Sequence, residues 1–234
     1  MKIFVLTGAG CSAESGLGTF RDKGGLWARF DPITLATPEA FARDPDEVHA
    51  FYNLRRRNLL EAEPNAAHAA LAQLQAVLSQ KNGGLFLCTQ NVDDLHERAG
   101  AQQVTHMHGE LRKARCMACE VVTPWDGDLG RLDRCPSCHN SGSLRPHVVW
   151  FGETPLSMDE IESALHSADL FVAIGTSGAV YPAAGFVSTA RQAGLQTCEI
   201  NLEASENAHV FEERHYGPAS LTVPIWVQNI LAEL

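Results

Sequence analysis

Short apolar runs recur along the chain, and each ends in a cluster of glycine or small polar residues. Residues 3–6 run into Thr7-Gly8-Ala9-Gly10, and residues 85–88 run into Thr89-Gln90-Asn91. A weaker run covers 103–105, Leu170–Ile174 ends at Gly175-Thr176-Ser177-Gly178, residues 197–200 end at Asn201, and 220–223 form a sixth candidate strand. Between them, apolar residues repeat at helical spacing. Ala66–Gln80 carries Leu71, Leu74 and Leu78 behind a capping Asn65; residues 158–166 follow Ser157; residues 182–193 open on Pro182 and stop before Gly194. Short apolar strands alternating with helices predict a parallel α/β sheet covered by helices on both faces. Ligands bind such sheets beyond the carboxyl ends of the strands, where the polar clusters fall.

Two stretches break this rhythm. Residues 27–64 read as helical with no strand, and residues 112–146 hold paired cysteines among turn residues. Both are expected to fold together as a smaller domain beside the sheet, leaving 1–26, 65–111 and 147–234 to the larger one.

Composition narrows the function more than the fold. At 234 residues, with 45% hydrophobic and 20% charged positions, the chain can bury one large core with a satellite. A formal net charge of −10 argues against gripping nucleic acid through its phosphates. No apolar run approaches the ~20 residues that cross a bilayer. The opening apolar stretch is too short for a secretion signal, so a cytoplasmic location is expected. Seven cysteines without a secretion signal argue against a disulfide framework.

Cys116, Cys119, Cys135 and Cys138 form two Cys-x-x-Cys pairs separated by 15 residues, the spacing of a four-thiolate zinc site. Four thiolates complete a tetrahedron and leave no position for water, so the zinc is expected to be structural. His139 adjoins Cys138 but is read as a surface histidine. The turn from Gly8 to Gly16 would let backbone N–H groups approach a pyrophosphate through Gly8 and Gly10. It departs from the usual dinucleotide fingerprint, lacking the third glycine and the downstream ribose-binding acid. Thr89-Gln90-Asn91-Val92-Asp93-Asp94-Leu95-His96 holds more polar groups than a helix cap needs. His106 and His108 are both suited to act as general base, and the residue types alone do not choose between them.

In this order, the motifs resemble the sirtuin family, and the resemblance runs through nearly the whole chain. It is carried by the turn from Gly8 to Gly16 with Phe20-Arg21-Asp22, by Thr89-Gln90-Asn91-Val92-Asp93, by His108-Gly109 and by the four cysteines. Pro146-His147-Val148-Val149-Trp150-Phe151-Gly152-Glu153, Gly175-Thr176-Ser177 and Asn201-Leu202-Glu203 complete it. The resemblance implies a Rossmann-like sheet, one structural zinc and NAD consumed as co-substrate in removing acyl groups from protein lysines, with nicotinamide and O-acyl-ADP-ribose as products. It implies His108 as the base. Gly8, Ala9, Gly10, Ser12, Ala13, Glu14, Phe20 and Arg21 would line the NAD site, with Gln90, Asn91 and Asp93 around the nicotinamide and its ribose. Gly175, Thr176, Ser177, Asn201, Leu202, Glu203 and Ala219 would lie on the adenosine side. Val148, Phe151, Gly152 and Glu153 would hold the acyl-lysine protein as an extended peptide. Family members usually carry a segment ahead of the first strand; here the chain opens directly in it.

The segment around Tyr52 and Arg55 resembles the bacterial class III, desuccinylase-like branch. Residues three apart share a helix face, so a phenol and a guanidinium can bracket one carboxylate, as in a succinyl or malonyl group. Ala36 and Ala40 are small, as a roomy acyl pocket requires. The competing readings are a core tyrosine beside a solvated basic face, protein ADP-ribosyl transfer from the same cofactor pocket, and an NAD-sensing zinc-ribbon module without turnover. No nucleic-acid or membrane partner is expected, and a monomer is the expected state.

Overall fold

The computed structural model describes residues 1–18 and 32–234. In chain order the strands are β1 (Lys2–Thr7), β2 (Gly84–Thr89), β3 (Val104–His106), β4 (Gly109–Cys116), β5 (Val122–Pro124), β6 (Leu144–Val148), β7 (Leu170–Ile174), β8 (Gln196–Asn201) and β9 (Glu213–Tyr216). The helices are α1 (Ala9–Ser12), α2 (Pro32–Leu35), α3 (Pro38–Arg43), α4 (Pro45–Glu61), α5 (Ala66–Gln80), α6 (Leu95–Arg98), α7 (Met158–Ser167), α8 (Phe186–Gln192) and α9 (Ala219–Ala232). One six-stranded sheet has the order β3-β2-β1-β7-β8-β9, all parallel. A three-stranded antiparallel sheet has the order β5-β4-β6.

Strand β1 is apolar at successive positions because both of its faces are covered. Ile3 and Val5 pack with Leu71, Leu74 and Leu78 of α5 and with Val223, Trp226 and Val227 of α9. Phe4 and Leu6 face the other way, onto Ile161 and Leu165 of α7 and Phe186 and Val187 of α8. The chain turns from building one half of the sheet to the other between β1 and β7. In sheets of this kind a ligand crevice is expected at that reversal, beyond their carboxyl ends.

Helices α2 to α4 pack on the small sheet: Ala40, Phe41, Phe51 and Tyr52 share a core with Leu111 of β4, Val148 of β6 and Trp150. A separate cluster of Ala114, Leu129 and Leu144 surrounds the buried Cys116 and Cys135. The described parts of the two interruptions, 32–64 and 112–146, meet in one smaller body, whose sheet begins at Gly109 and reaches Val148.

Three local expectations are corrected. Residues 220–223 lie in α9, not in a strand; Val223, Trp226 and Val227 are buried at helical spacing, and period three to four wins over a short apolar run. The sixth strand is β9, whose Glu213-Arg214-His215-Tyr216 has almost no apolar signal because it is an edge strand. Ser157 does not cap α7 through its side chain; it takes a left-handed conformation at φ 56°. Within 182–193, residues Ala183–Gly185 form a 3₁₀ turn and only Phe186–Gln192 is α-helical. Asn65 does cap α5, accepting from Ala67 N at 2.9 Å while its own N–H donates to His68 Nδ1 at 3.2 Å.

Candidate active site

The loop after β1 is pressed against the loop after β7. Gly8 N–H donates to Ile174 O at 2.9 Å and Gly10 N–H to Gly175 O at 2.8 Å. A Cβ on Gly10 would sit 2.8 Å from Gly175 Cα, and one on Gly175, whose φ is +62°, 2.3 Å from Cys11 N. The glycines therefore let two backbones touch, and the N–H groups of Gly8 and Gly10 are spent within the protein rather than left bare for a phosphate. Ala9 and Ser12 belong to α1, and Ala13 and Glu14 form the following 3₁₀ turn, Ala13–Ser15. Phe20, Arg21 and Asp22 lie outside the described residues.

Behind this loop is a buried polar network. Ser12 Oγ donates to Asp93 Oδ2 at 3.0 Å and accepts from Asn91 Nδ2 at 3.1 Å. Asn91 Nδ2 also donates to Gly8 O at 3.1 Å, and Leu95 N–H donates to Asp93 Oδ1 at 3.2 Å. Gln90 Nε2 reaches Thr176 Oγ1 at 3.1 Å, tying the end of β2 to the β7 loop. Burial pushes the Asp93 carboxyl above the ordinary carboxylate range, against the pull of its hydrogen bonds from Leu95 and Ser12. The structure thus brings Ser12, Gln90, Asn91 and Asp93 together at the crevice.

The two histidines have different surroundings. Burial lowers His106, but the hydrogen bond and charge of Glu97, 2.6 Å from Nε2, outweigh it, and the net direction is upward. His108 is half-buried and burial lowers it overall, so the neutral form predominates at pH 7. Its Nδ1 lies 3.1 Å from Gln90 O. A carbonyl only accepts, so Nδ1 carries the proton and Nε2 keeps its lone pair. Among the described residues nothing bonds that lone pair. Gly109, at φ +79°, fixes the corner: a Cβ there would lie 2.2 Å from His147 O.

On the far side of β7, Asn201 at the end of β8 donates through Nδ2 to Thr176 O at 2.8 Å and accepts from Leu202 N–H at 3.0 Å. Glu14 reaches across to the start of α9, accepting from Ser220 N at 2.8 Å and from Ser220 Oγ at 2.7 Å beside Ala219. Gly175, Thr176 and Ser177 on the loop after β7 thus adjoin Asn201 at the end of β8, with Ala219 at the start of α9 and Leu202 and Glu203 exposed.

The four cysteine sulfurs lie within 4.8 Å of one another. Cys116 Sγ is 3.6 Å from Cys138 Sγ, and Cys119 Sγ is 3.7 Å from Cys135 Sγ. A zinc–sulfur bond of ~2.3 Å gives tetrahedral edges of about 3.8 Å. Each pair forms the same knuckle: Glu120 N–H donates to Cys116 O and His139 N–H to Cys135 O, both at 2.9 Å, and both residues have φ of 61°. His139 serves the knuckle with its backbone, as a surface residue. The residues present fit a zinc ion.

Residues 8–182 match the Sir2 family. The chain belongs to this family. It is 63% identical over 234 residues to the NAD-dependent protein deacylase of Caulobacter vibrioides, covering 100% of this chain and 98% of that one. A crystal structure of a Sir2 homologue bound to NAD has a TM-score of 0.87 at 37% identity, over 99% of this chain and 90% of that one. A Sir2 complex with a deacetylated peptide and 3'-O-acetyl ADP-ribose has a TM-score of 0.80 at 27% identity, over 99% and 92% of the two chains.

Within this Sir2 frame the arginine run has three fates. Arg55 lies over the Phe51 and Tyr52 rings, 5.5 and 5.6 Å from their centroids. Burial lowers its pKa, while the neighbouring Tyr52 and Asp93 hold it up. Arg56 is buried and donates to Leu111 O and Asn53 Oδ1, each at 2.8 Å, whereas Arg57 pairs with Asp128 at the surface. Tyr52 Oη accepts from Trp150 Nε1 at 3.0 Å. Ala36 and Ala40 are buried beside it, and Ala36 O accepts from Phe151 N at 2.9 Å.

Glu153 is already engaged: its carboxylate takes Arg145 through both oxygens, at 2.6 and 2.9 Å, and Trp150 N–H at 2.8 Å. It shapes the turn containing Phe151 and Gly152 rather than offering a free acceptor. Sequence reading assigns no individual role to Thr7, Thr89 and His96, which it places in polar clusters, and does not single out His68 or Arg145; all five are buried and polar. Polar residues ending apolar runs, as Thr7 and Thr89 do, were the signal available.

Proposed function

We propose that the chain is an NAD-dependent protein lysine deacylase that accepts acetyl and also succinyl or malonyl groups, releasing nicotinamide and O-acyl-ADP-ribose. The observation that carries this reading is the state of His108: neutral, with Nδ1 pinned to Gln90 and Nε2 presenting a lone pair, at the crevice edge where Ser12, Asn91 and Asp93 converge. That is the arrangement a general base requires.

NAD brings an electrophilic sugar carbon with a good leaving group, nicotinamide. Gln90, Asn91 and Asp93 would surround the nicotinamide and its ribose, fixed by Ser12 and Thr176. Gly175, Thr176, Ser177, Asn201, Leu202, Glu203 and Ala219 would line the adenosine side. The neutral acyl oxygen of the substrate lysine would attack the sugar carbon as nicotinamide leaves, and His108 would then take the proton of a ribose hydroxyl. Desolvation favours an uncharged nucleophile of this kind. Val148, Phe151 and Gly152 would hold the peptide as an added strand, with Glu153 bracing their turn through Arg145. Cys116, Cys119, Cys135 and Cys138 would hold one structural zinc. The smaller body, 27–64 with 112–146, would then supply acyl and peptide contacts to the larger one.

For the acyl group, Arg55 and Tyr52 on one face of α4 offer a cation and a phenol to a carboxylate. Tyr52 keeps its proton, since burial raises its pKa. Its hydroxyl accepts from Trp150, which leaves its O–H to donate to the carboxylate.

NAD labelled in its adenosine decides between the enzymatic readings. With a succinyl-lysine peptide, deacylation moves the label into a small acyl-ADP-ribose and frees the lysine. Label on protein would instead mean ADP-ribosyl transfer, and intact NAD would mean a sensor.

A further inference from the structure

Beneath the loop after β1 lie three residues to which the reaction assigns no role. Cys11, His68 and His96 are all fully buried, and their ligand atoms lie within 4.8 Å of one another. The two imidazole rings meet edge to face at 4.8 Å. The hydrogen bonds define their proton positions. Thr7 Oγ1 donates to Thr89 Oγ1 at 2.8 Å, so it accepts from His96 Nε2 at 3.0 Å. His96 Nδ1 is then a bare lone pair, and this buried atom has no hydrogen-bond partner among the described residues. His68 Nδ1 accepts the Asn65 N–H at 3.2 Å, and Nε2 lies 3.3 Å from Ser12 Oγ.

We propose that Cys11, His68 and His96 form a second, buried site for a thiophilic cation of the zinc type, separate from the four-cysteine site, and that filling it slows the enzyme. One thiolate and two imidazoles are a donor set for such ions. Zinc–sulfur and zinc–nitrogen bonds of about 2.3 and 2.0–2.1 Å bring ligand atoms to roughly 3.4–3.8 Å, so the cluster must contract slightly. Ser12 Oγ, next to His68, would complete a tetrahedron. The binding step exchanges the Cys11 S–H proton, released to solvent, for a sulfur–metal bond.

The slowing follows from proton accounting. A neutral imidazole has one lone pair, and His68 spends its own on the Asn65 N–H. Whichever nitrogen ligates, that helix-capping bond is lost. Asn65 also holds Cys11 O at 2.9 Å and Ser15 Oγ at 3.1 Å, so the loop carrying Ser12 loosens with it. Binding at the cluster stands on geometry alone; the slowing rests on the proposed deacylase reading.

Zinc itself is the probe, since it is also the ion proposed for the four-cysteine site. After equilibration with excess zinc and gel filtration, the wild type is expected to retain two ions per chain and Cys11→Ala one. Nicotinamide release should fall severalfold with added zinc in the wild type, with slow onset, and hardly at all in Cys11→Ala, whose basal rate is unchanged. Crystals of the wild type soaked in zinc should show an anomalous peak between Cys11 Sγ and His96 Nδ1. Equal zinc content in both proteins, or no such peak, would overturn the site. A second ion that leaves turnover untouched would overturn only the inhibition, and absence of turnover without added zinc would instead count against the deacylase reading.

Discussion

His108 and Arg55 bear most of the functional argument, and each makes a separate prediction. A general base must be neutral to act, and burial holds the His108 pKa below its ordinary value near 6.5. The neutral form predominates at pH 7 and is lost as pH falls through that lowered pKa. The acid limb of kcat/KM is therefore expected below about pH 6.5, and a limb above 7 would contradict the assignment. Arg55→Met should weaken desuccinylation by about 1.5–3 kcal/mol, roughly ten- to a hundredfold, the worth of a charged hydrogen bond. Deacetylation should change far less. Steady-state rates on matched succinyl and acetyl peptides give the comparison, and equal losses would return Arg55 to a purely structural role. In the sequence Arg55, Arg56 and Arg57 look alike. Spacing from Tyr52 nevertheless singles out Arg55, and the fold adds why its neighbours differ: Arg56 is buried on Leu111 O and Arg57 pairs with Asp128. Residue types alone leave His106 and His108 alike; the family resemblance points to His108, and Glu97 and the Gln90 carbonyl supply the physical difference between them.

At the level of elements, the corner between β3 and β4 is the most exacting. Gly109 has φ +79° and its Cβ position lies 2.2 Å from His147 O. Gly109→Ala should cost about 2 kcal/mol or more, the left-handed penalty plus the clash, and should displace the neighbouring His108. Thermal melts and turnover of this variant provide the check: an unchanged melting temperature with full activity would mean the corner is more pliant than described. The parallel strands and α5 were legible because burial on two faces writes continuous apolar runs and one-face burial writes a helical stripe. Strand β9 and the start of α9 were not. An edge strand needs no apolar pattern, and four residues of α9 are too few to reveal their period. Ser157 misled for a related reason, since a residue type suited to capping does not fix the backbone angle on which capping depends.

For the whole molecule, two domain-scale dependences follow. His68 is buried and held at about 4, against roughly 6.5 unfolded. Between those values the unfolded chain takes up a proton that the folded chain refuses, so stability is full above 6.5 and declines as pH falls toward 4. The contribution is on the order of 3 kcal/mol. His96 acts with the same sign and Asp93, held up by burial, with the opposite one. Denaturant midpoints across this range should fall with pH, and His68→Gln should flatten the slope; an unaltered slope would mean His68 is not the group titrating. Stripping zinc should disorganise the three-stranded sheet and, through Val148 and Trp150, the peptide side of the crevice. Turnover should be lost while NAD binding, measured calorimetrically, weakens far less. The most direct test of the central claim is mass spectrometry of one lysine peptide, carrying an acetyl group, a succinyl group or none, incubated with the enzyme and NAD. The account predicts NAD-dependent loss of both acyl groups with an equal yield of acyl-ADP-ribose, and none of either with His108→Tyr. Acyl-lysine that survives unchanged in the presence of NAD would contradict it.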